Sequence, residues 1–295
     1  MWTIAALAIG VLSVSTSGPL IAYATAPALA IAFWRNALAA GVLAPITLSV
    51  RRGELALART HIKICLIAGL ALAAHFGTWV PSVKLTSVAT ATALVCIQPV
   101  WAGLITVWQG GRLGRLTWIG IIAAVAGAAI ATGPDIRAGG PALAGDLLAV
   151  VGGIAGAIYN IVGERARAVL TTTTYTTVCY GACAAVLLTT CLALNTPIAG
   201  FGATAWLIII GLTVGPQLLG HSMFNYALQK VPATAVSVIV LLEVPGAGLL
   251  GWVWLGQTLS VPTLFGLVLV IVGVAVVVAT PAARIDRRRL PASDL

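Results

Sequence analysis

Apolar residues run along this chain in blocks of roughly twenty, and most of the charges fall in the short gaps between them. A hydrocarbon core about 30 Å thick is crossed by about 20 apolar residues in a helix, so each block predicts one spanning helix. The breaks place ten of them, near 2–19, 27–48, 62–82, 86–108, 116–133, 143–163, 173–194, 204–228, 232–255 and 261–280. No gap has room for a soluble domain. The expected fold is therefore all-α, a polytopic membrane protein whose backbone polar groups are satisfied inside its own helices.

The pattern occurs twice. Residues 75–130 lie over 221–276 at a constant offset of 146 without a gap, and thirteen positions are then identical. The low-complexity apolar alphabet forces some of these matches, but not His75/His221, Lys84/Lys230, Pro99/Pro245 and Trp108/Trp254. Fixed-period similarity of this kind marks an internal duplication. Each copy would hold five helices, an odd number, so the second copy enters the membrane upside down relative to the first. The expected organisation is a first repeat over 1–135, a second over 140–280, and a short basic tail over 281–295.

Composition agrees with the pattern. A chain that is 60% hydrophobic and 8% charged has too little polar surface to cover a soluble globule of 295 residues. The net charge of +9 does not point to nucleic acid, because the cations lie in short hydrophilic gaps and not on a basic face interleaved with aromatics. They read instead as topology signals. With ten spans, Arg51, Arg52, Arg59, Lys63, Arg112, Arg115, Arg165, Arg167, Lys230, Arg284, Arg287, Arg288 and Arg289 fall on one side, against Lys84 and Arg137 on the other. Both termini are then cytoplasmic, in the inner membrane. No Lys or Arg precedes the first apolar block, so it reads as a spanning helix and not as a cleaved signal peptide.

Chemistry is sparse. Cys65, Cys96, Cys179, Cys183 and Cys191 all lie in apolar runs without CxxC spacing and read as small hydrophobic filler. No metal set or cofactor motif is present, and GxxxxGK[ST], GxSxG and HExxH are absent. The last helix of each copy, with Gly120, Gly127, Gly266 and Gly273, carries no ionisable or amide side chain. Such helices face lipid or pack through small residues.

Three segments carry a resemblance: APALAIAFWRNALAA at 26–40, HFGTWVPSVKLTSVATATALV at 75–95 ahead of Gln98-Pro99, and ATAVSVIVLLEVPGAGLLGWVWLGQTLS at 233–260. With them the chain resembles the drug/metabolite transporter superfamily, and within it the EamA-type proteins of ten helices in two inverted repeats. The resemblance implies export or exchange of small metabolites, amino acids or toxic cations, often coupled to protons. It also implies a central cavity surrounded by the first to fourth and sixth to ninth helices. Where that family commonly has Gly-Glu at the end of the fourth and ninth helices, this chain has Gly110-Gly111 and Gly256-Gln257, so no role of those acids carries over.

An ionisable residue inside a bilayer costs about 2.5–3.5 kcal/mol at a helix centre, which makes each one a functional candidate. Arg35, in the second helix, either binds a substrate carboxylate or phosphate through its planar fork or is a structural arginine bonding carbonyls near Pro27. Glu243, in the ninth, either exchanges a proton or binds a cation, or else is held by a neighbour such as Gln98. The pair His75 and His221 would act as gates or relays, or simply pack. Trp79, Gln98, Trp101, Tyr159, Asn160, Asn225 and Tyr226 supply polar and aromatic anchors for an organic ligand. Trp2, Trp118 and Trp206 are expected in the interfacial belt. The two copies differ at Glu243 against Ile97, Gln98 against Val244 and Trp101 against Ala247, and an asymmetric substrate would use such differences.

The reading is a secondary transporter working by alternating access on a small molecule, within a lipid bilayer, with protons as the candidate coupling ion and a homodimer as a candidate assembly. The rivals are a membrane-embedded enzyme acting on lipid or isoprenoid, for which Asp135, Asp146 and Glu164 stand too far apart, and a passive channel.

Overall fold

The computed structural model describes residues 2–86, 88–132, 140–255 and 261–280. The basic tail, Asp135, Arg137 and the Gly256-Gln257 pair lie outside the described residues. Among the described residues all regular structure is helical. Seven stretches are long and apolar enough to cross a membrane: Trp2–Tyr23, Ala28–Val50, Ile62–Leu85, Thr90–Trp108, Pro141–Arg167, Thr172–Ala193 and Ala203–Ala227. Arg115–Ile130, Ala233–Ala247 and Leu264–Ala279 are shorter apolar helices.

Proline decides where the blocks break. The first is two helices, α1 (Trp2–Val14) and α2 (Ser17–Tyr23), and the block expected at 86–108 divides into α6 (Val88–Val95) and α7 (Gln98–Trp108). The block expected at 232–255 likewise divides into α13 (Ala233–Val240) and α14 (Glu243–Leu255). In each case a proline stands where its missing N–H and its ring disrupt the bond to the residue four back: Pro19 against Ser15, Pro99 against Val95, Pro245 against Leu241. Each block was expected to be continuous, and each is interrupted at that point. Pro45 and Pro81 lie inside α3 (Ala28–Val50) and α5 (Ile62–Leu85), which continue past them. After α3, a short turn at Arg52–Glu54 and α4 (Leu55–Thr60) lead into α5.

The remaining helices are α8 (Arg115–Thr132), α9 (Pro141–Arg167), α10 (Thr172–Ala193) and α11 (Ala203–Leu212), the last continuing through a π-helical stretch, Thr213–His221, into α12 (Ser222–Ala227). The last described helix is α15 (Val261–Ala279). The principal packing pairs are α5 with α9, α3 with α10, and α8 with α15. Small residues let these backbones approach: a Cβ on Gly69 would stand 2.9 Å from the Cys179 carbonyl oxygen, and one on Gly127 would stand 2.6 Å from the Val270 amide nitrogen. All five cysteines are buried and unpaired within this packing.

The two ends of the bundle are tied differently. At one, Lys84 Nζ donates to the carbonyls of Ala22 and Ala24, where a cation meets the carboxyl end of α2. Trp34 Nε1 donates to the Ile198 carbonyl (2.7 Å), and its ring meets Trp206 edge-on. Trp206 is thus partly a packing residue, and Trp118 lies against Gly103, whereas Trp2 is 81% exposed as expected of a belt residue. At the other end, Glu164 Oε2 accepts from the Ala233 amide at the start of α13 (2.9 Å), and Glu54 Oε2 accepts from the Thr171 hydroxyl (2.8 Å). Burial pushes the Glu54 carboxyl up, but the Thr171 and Thr174 hydrogen bonds with the nearby Arg51 outweigh it, and the net shift is below the usual glutamate range.

A candidate substrate site at the helix breaks

The two proline breaks put a polar side chain on the first residue of a new helix, Gln98 on α7 and Glu243 on α14. An interrupted helix inside a membrane exposes a positive dipole end, and this is where transporters commonly build their sites. For Glu243, loss of water makes charge expensive, while the amino end of α14 is the part of the helix that favours a negative group.

A central cavity forms where these breaks meet α1, α2, α5, α9 and the π-helical stretch. Its polar lining comes from both halves of the chain: Ser17, His75, Trp79 and Gln98 from one, Tyr159, Asn160, His221 and Glu243 from the other. The volume open to water centres is ≈ 30 Å³, room for two or three waters at about 10–15 Å³ each. Pockets for small organic ligands run to about 300–1,000 Å³. The cavity must therefore widen before a substrate enters it.

Hydrogen bonds orient the lining. His75 Nδ1 lies 2.8 Å from the Gly152 carbonyl, which can only accept, so that nitrogen carries a proton. The His75 and His221 rings meet edge-on with centroids 6.1 Å apart, and His221 also packs against Phe76 and Tyr159. Asn160 Nδ2 donates to Ser237 Oγ (3.1 Å) and more weakly to Gln98 Oε1 (3.4 Å). Among the described residues no side-chain hydrogen bond ends on the Glu243 carboxyl, so the alternative in which Gln98 holds it is not what forms.

Behind the cavity wall lies a second polar layer. Asn225 donates to Tyr159 Oη and reaches Tyr180 Oη (3.5 Å), which pairs with Ser222 Oγ (3.1 Å). Arg35 is fully buried: Nε donates to Gln217 Oε1 (2.9 Å), Nη1 to Ser17 Oγ (3.4 Å), and the guanidinium sits 4.2 Å above the Phe76 ring. Gln217 in turn donates to Asn36 Oδ1 (3.1 Å). Arg35 Nη2 and Trp79 Nε1 are buried donors without a partner among the described residues, and such atoms call for an explanation.

Of the eleven residues singled out from sequence, seven line this cavity: Gln98, Glu243, His75, His221, Trp79, Tyr159 and Asn160. Arg35 stands behind it on Phe76, and Asn225 behind it on Tyr159. Trp101 packs into a separate apolar cluster, and Tyr226 lines a second cavity. Sequence reasoning missed Ser17, Gln217, Tyr180, Ser222 and Ser237. The signal for Gln217 was a lone amide between Gly215-Pro216 and Gly220, a run that shifts the helix to π geometry and is often found at functional sites.

No group of three or more metal-ligating side chains occurs among the described residues. Glu164 is spent on the α13 terminus, and Asp146 lines neither cavity. A multi-pass helical bundle with a small cavity at two broken helices, lined by polar side chains from both halves of the chain, is the architecture of a membrane transporter. The chain belongs to the EamA-like transporter family, whose model matches residues 1–133 and 143–279, and with it to the drug/metabolite transporter superfamily. It is 26% identical over 200 residues to an uncharacterized transporter of Archaeoglobus fulgidus, covering 68% of this chain and 70% of that protein. A protein of known crystal structure shares the fold with a TM-score of 0.74 at 19% identity, covering 94% of this chain and 95% of the other.

Proposed function

We propose that the protein moves a small metabolite, an amino acid or drug-like compound, across the inner membrane by alternating access, as an exporter or exchanger. The observation that carries this reading is the small cavity at two proline-broken helices, with polar groups from both halves of the chain on its wall and no described side chain hydrogen-bonded to the Glu243 carboxyl. Ten helices form two inverted repeats, 1–135 and 140–280, which rock around that cavity. A two-fold relation requires contacts to come in exchanged pairs. Gly120 meets Gly273 and Gly127 meets Gly266, the same two positions exchanged at the offset of 146, while His75 meets its own mate His221 as residues near an axis do. These contacts support the inverted arrangement.

Protons couple the cycle through Glu243. The group biases inward-facing against outward-facing states by as much as its affinity for the proton differs between them. Arg35 holds the site from behind and offers Nη2 to an anionic substrate group when the cavity widens.

Two measurements test the reading. Purified protein in proteoliposomes, given a ligand found by thermal-shift screening of metabolites, should show saturable uptake that internal unlabelled ligand accelerates. Flux that rises linearly and ignores internal ligand would make it a channel. For orientation, a reporter fused after Arg52 should be active only in the cytoplasm and one after Arg137 only outside; the reverse pattern would overturn the inverted topology.

A further inference from the structure

We propose that a second cavity, distinct from the central one, is a docking site for a small amphipathic anion: an apolar body bearing a phosphate or carboxylate. This cavity lies at the end of the bundle that carries Arg51 and Arg167, with a volume of ≈ 530 Å³ against ≈ 30 Å³ at the centre. It is already within the size range of small-ligand pockets.

Its lining divides into two chemistries. Arg51, Arg167, Thr172 and Thr173 supply charge and hydroxyls, Leu43 and Met223 supply apolar surface, and no carboxylate is among the described lining residues. Arg167 is 2% exposed and held by three acceptors, the carbonyls of Asn225 and Leu170 and the Gln229 side chain. None of these is charged, and Arg167 forms no ion pair among the described residues. A guanidinium has five N–H donors, so two remain; Glu54 acts on Arg167 electrostatically but makes no direct ion pair with it, and a buried cation without a direct counter-ion is costly. Glu54 is turned to Thr171 and Arg51. The Thr172 and Thr173 hydroxyls make no hydrogen bond to a described residue, and they stand on the first turn of α10, where backbone N–H groups also lack helical partners.

The cavity lining includes Ser222, whose hydroxyl pairs with Tyr180, linked through Asn225 to Tyr159 on the central wall. A docked anion is thus one hydrogen-bonded layer from the central cavity. That it is a station on the transport route rests on the proposed function; that it binds an anion does not.

The test uses thiol labelling, which involves no transport step. All five native cysteines are buried, so a Thr173→Cys protein offers a new accessible thiol. In neutral detergent, a sulfonate-bearing methanethiosulfonate should modify it several-fold faster than a trimethylammonium-bearing one, relative to the same ratio at Thr204→Cys at the other end of the bundle. Hexyl phosphate should protect the thiol saturably and hexyltrimethylammonium should not. Adding Arg51→Gln should weaken that protection about tenfold, the scale of one charge-assisted hydrogen bond. Failure of hexyl phosphate to protect, at Thr173→Cys and at a parallel Thr172→Cys, overturns the proposal whatever the labelling ratio. Protection by phosphatidylglycerol nanodiscs alone, with no further effect of hexyl phosphate, would assign the site to a lipid headgroup and overturn the transport station.

Discussion

A Glu243→Gln protein is expected to insert and fold as the parent does and to keep ligand counterflow, yet to lose accumulation driven by a pH gradient, by about tenfold or more. Glutamine fills nearly the same volume at the start of α14 and mimics the protonated carboxyl. Because no described side chain is hydrogen-bonded to Glu243, the change leaves no partner stranded, and the fold has little to lose. What it removes is the exchangeable proton. A tenfold difference in proton affinity between two states is worth about 1.4 kcal/mol of bias, and that bias vanishes with the titratable group. The pH profile of counterflow should flatten across the range where the parent's changes. Gradient-driven accumulation at the parental rate with an unchanged profile, in a protein shown by its melting curve to be folded, would sink the proton role.

The second large effect is structural. Gly127→Val is expected to destabilise the α8–α15 pair by about 1–3 kcal/mol or more, the range for overpacking, and to lower the thermal midpoint in detergent by several degrees. A Cβ on Gly127 would lie 2.6 Å from the Val270 nitrogen and 2.7 Å from the Gly266 oxygen, and both neighbours are backbone, so no rotamer change relieves the clash. The helices would have to separate. Gly41→Val, on a helix face with nothing within 4 Å of the added carbon, serves as the control and should melt as the parent does. Equal melting of both variants would mean that α8 and α15 do not pack through their glycines.

The outcomes along the chain show which information is local. Helix locations were legible because hydrocarbon tolerates no unpaired backbone, so every apolar block had to become helix. The breaks within those blocks were not anticipated, although Pro99 and Pro245 were in plain view. Proline ends some helices and bends others, as Pro45 and Pro81 do, and the difference lies in what packs around the freed carbonyl. Glu243 and Gln98, picked because the two copies differ there, line the cavity together. Trp101, picked on the same ground, packs elsewhere. A difference between copies marks asymmetry without saying which way a side chain faces.

The sequence by itself determined an all-helical membrane transporter of this family, its duplication at an offset of 146, and a short inventory of buried polar groups. Hydrophobic burial and backbone satisfaction act along the chain, so periodicity and composition carry them. Only the tertiary structure decided that His75 faces His221, that Arg35 stands behind Phe76 on Gln217, and that a second, cation-lined cavity opens beside Arg167. Those depend on helix rotation and on contacts between residues 41 to 182 positions apart, set by which small residues let two backbones close.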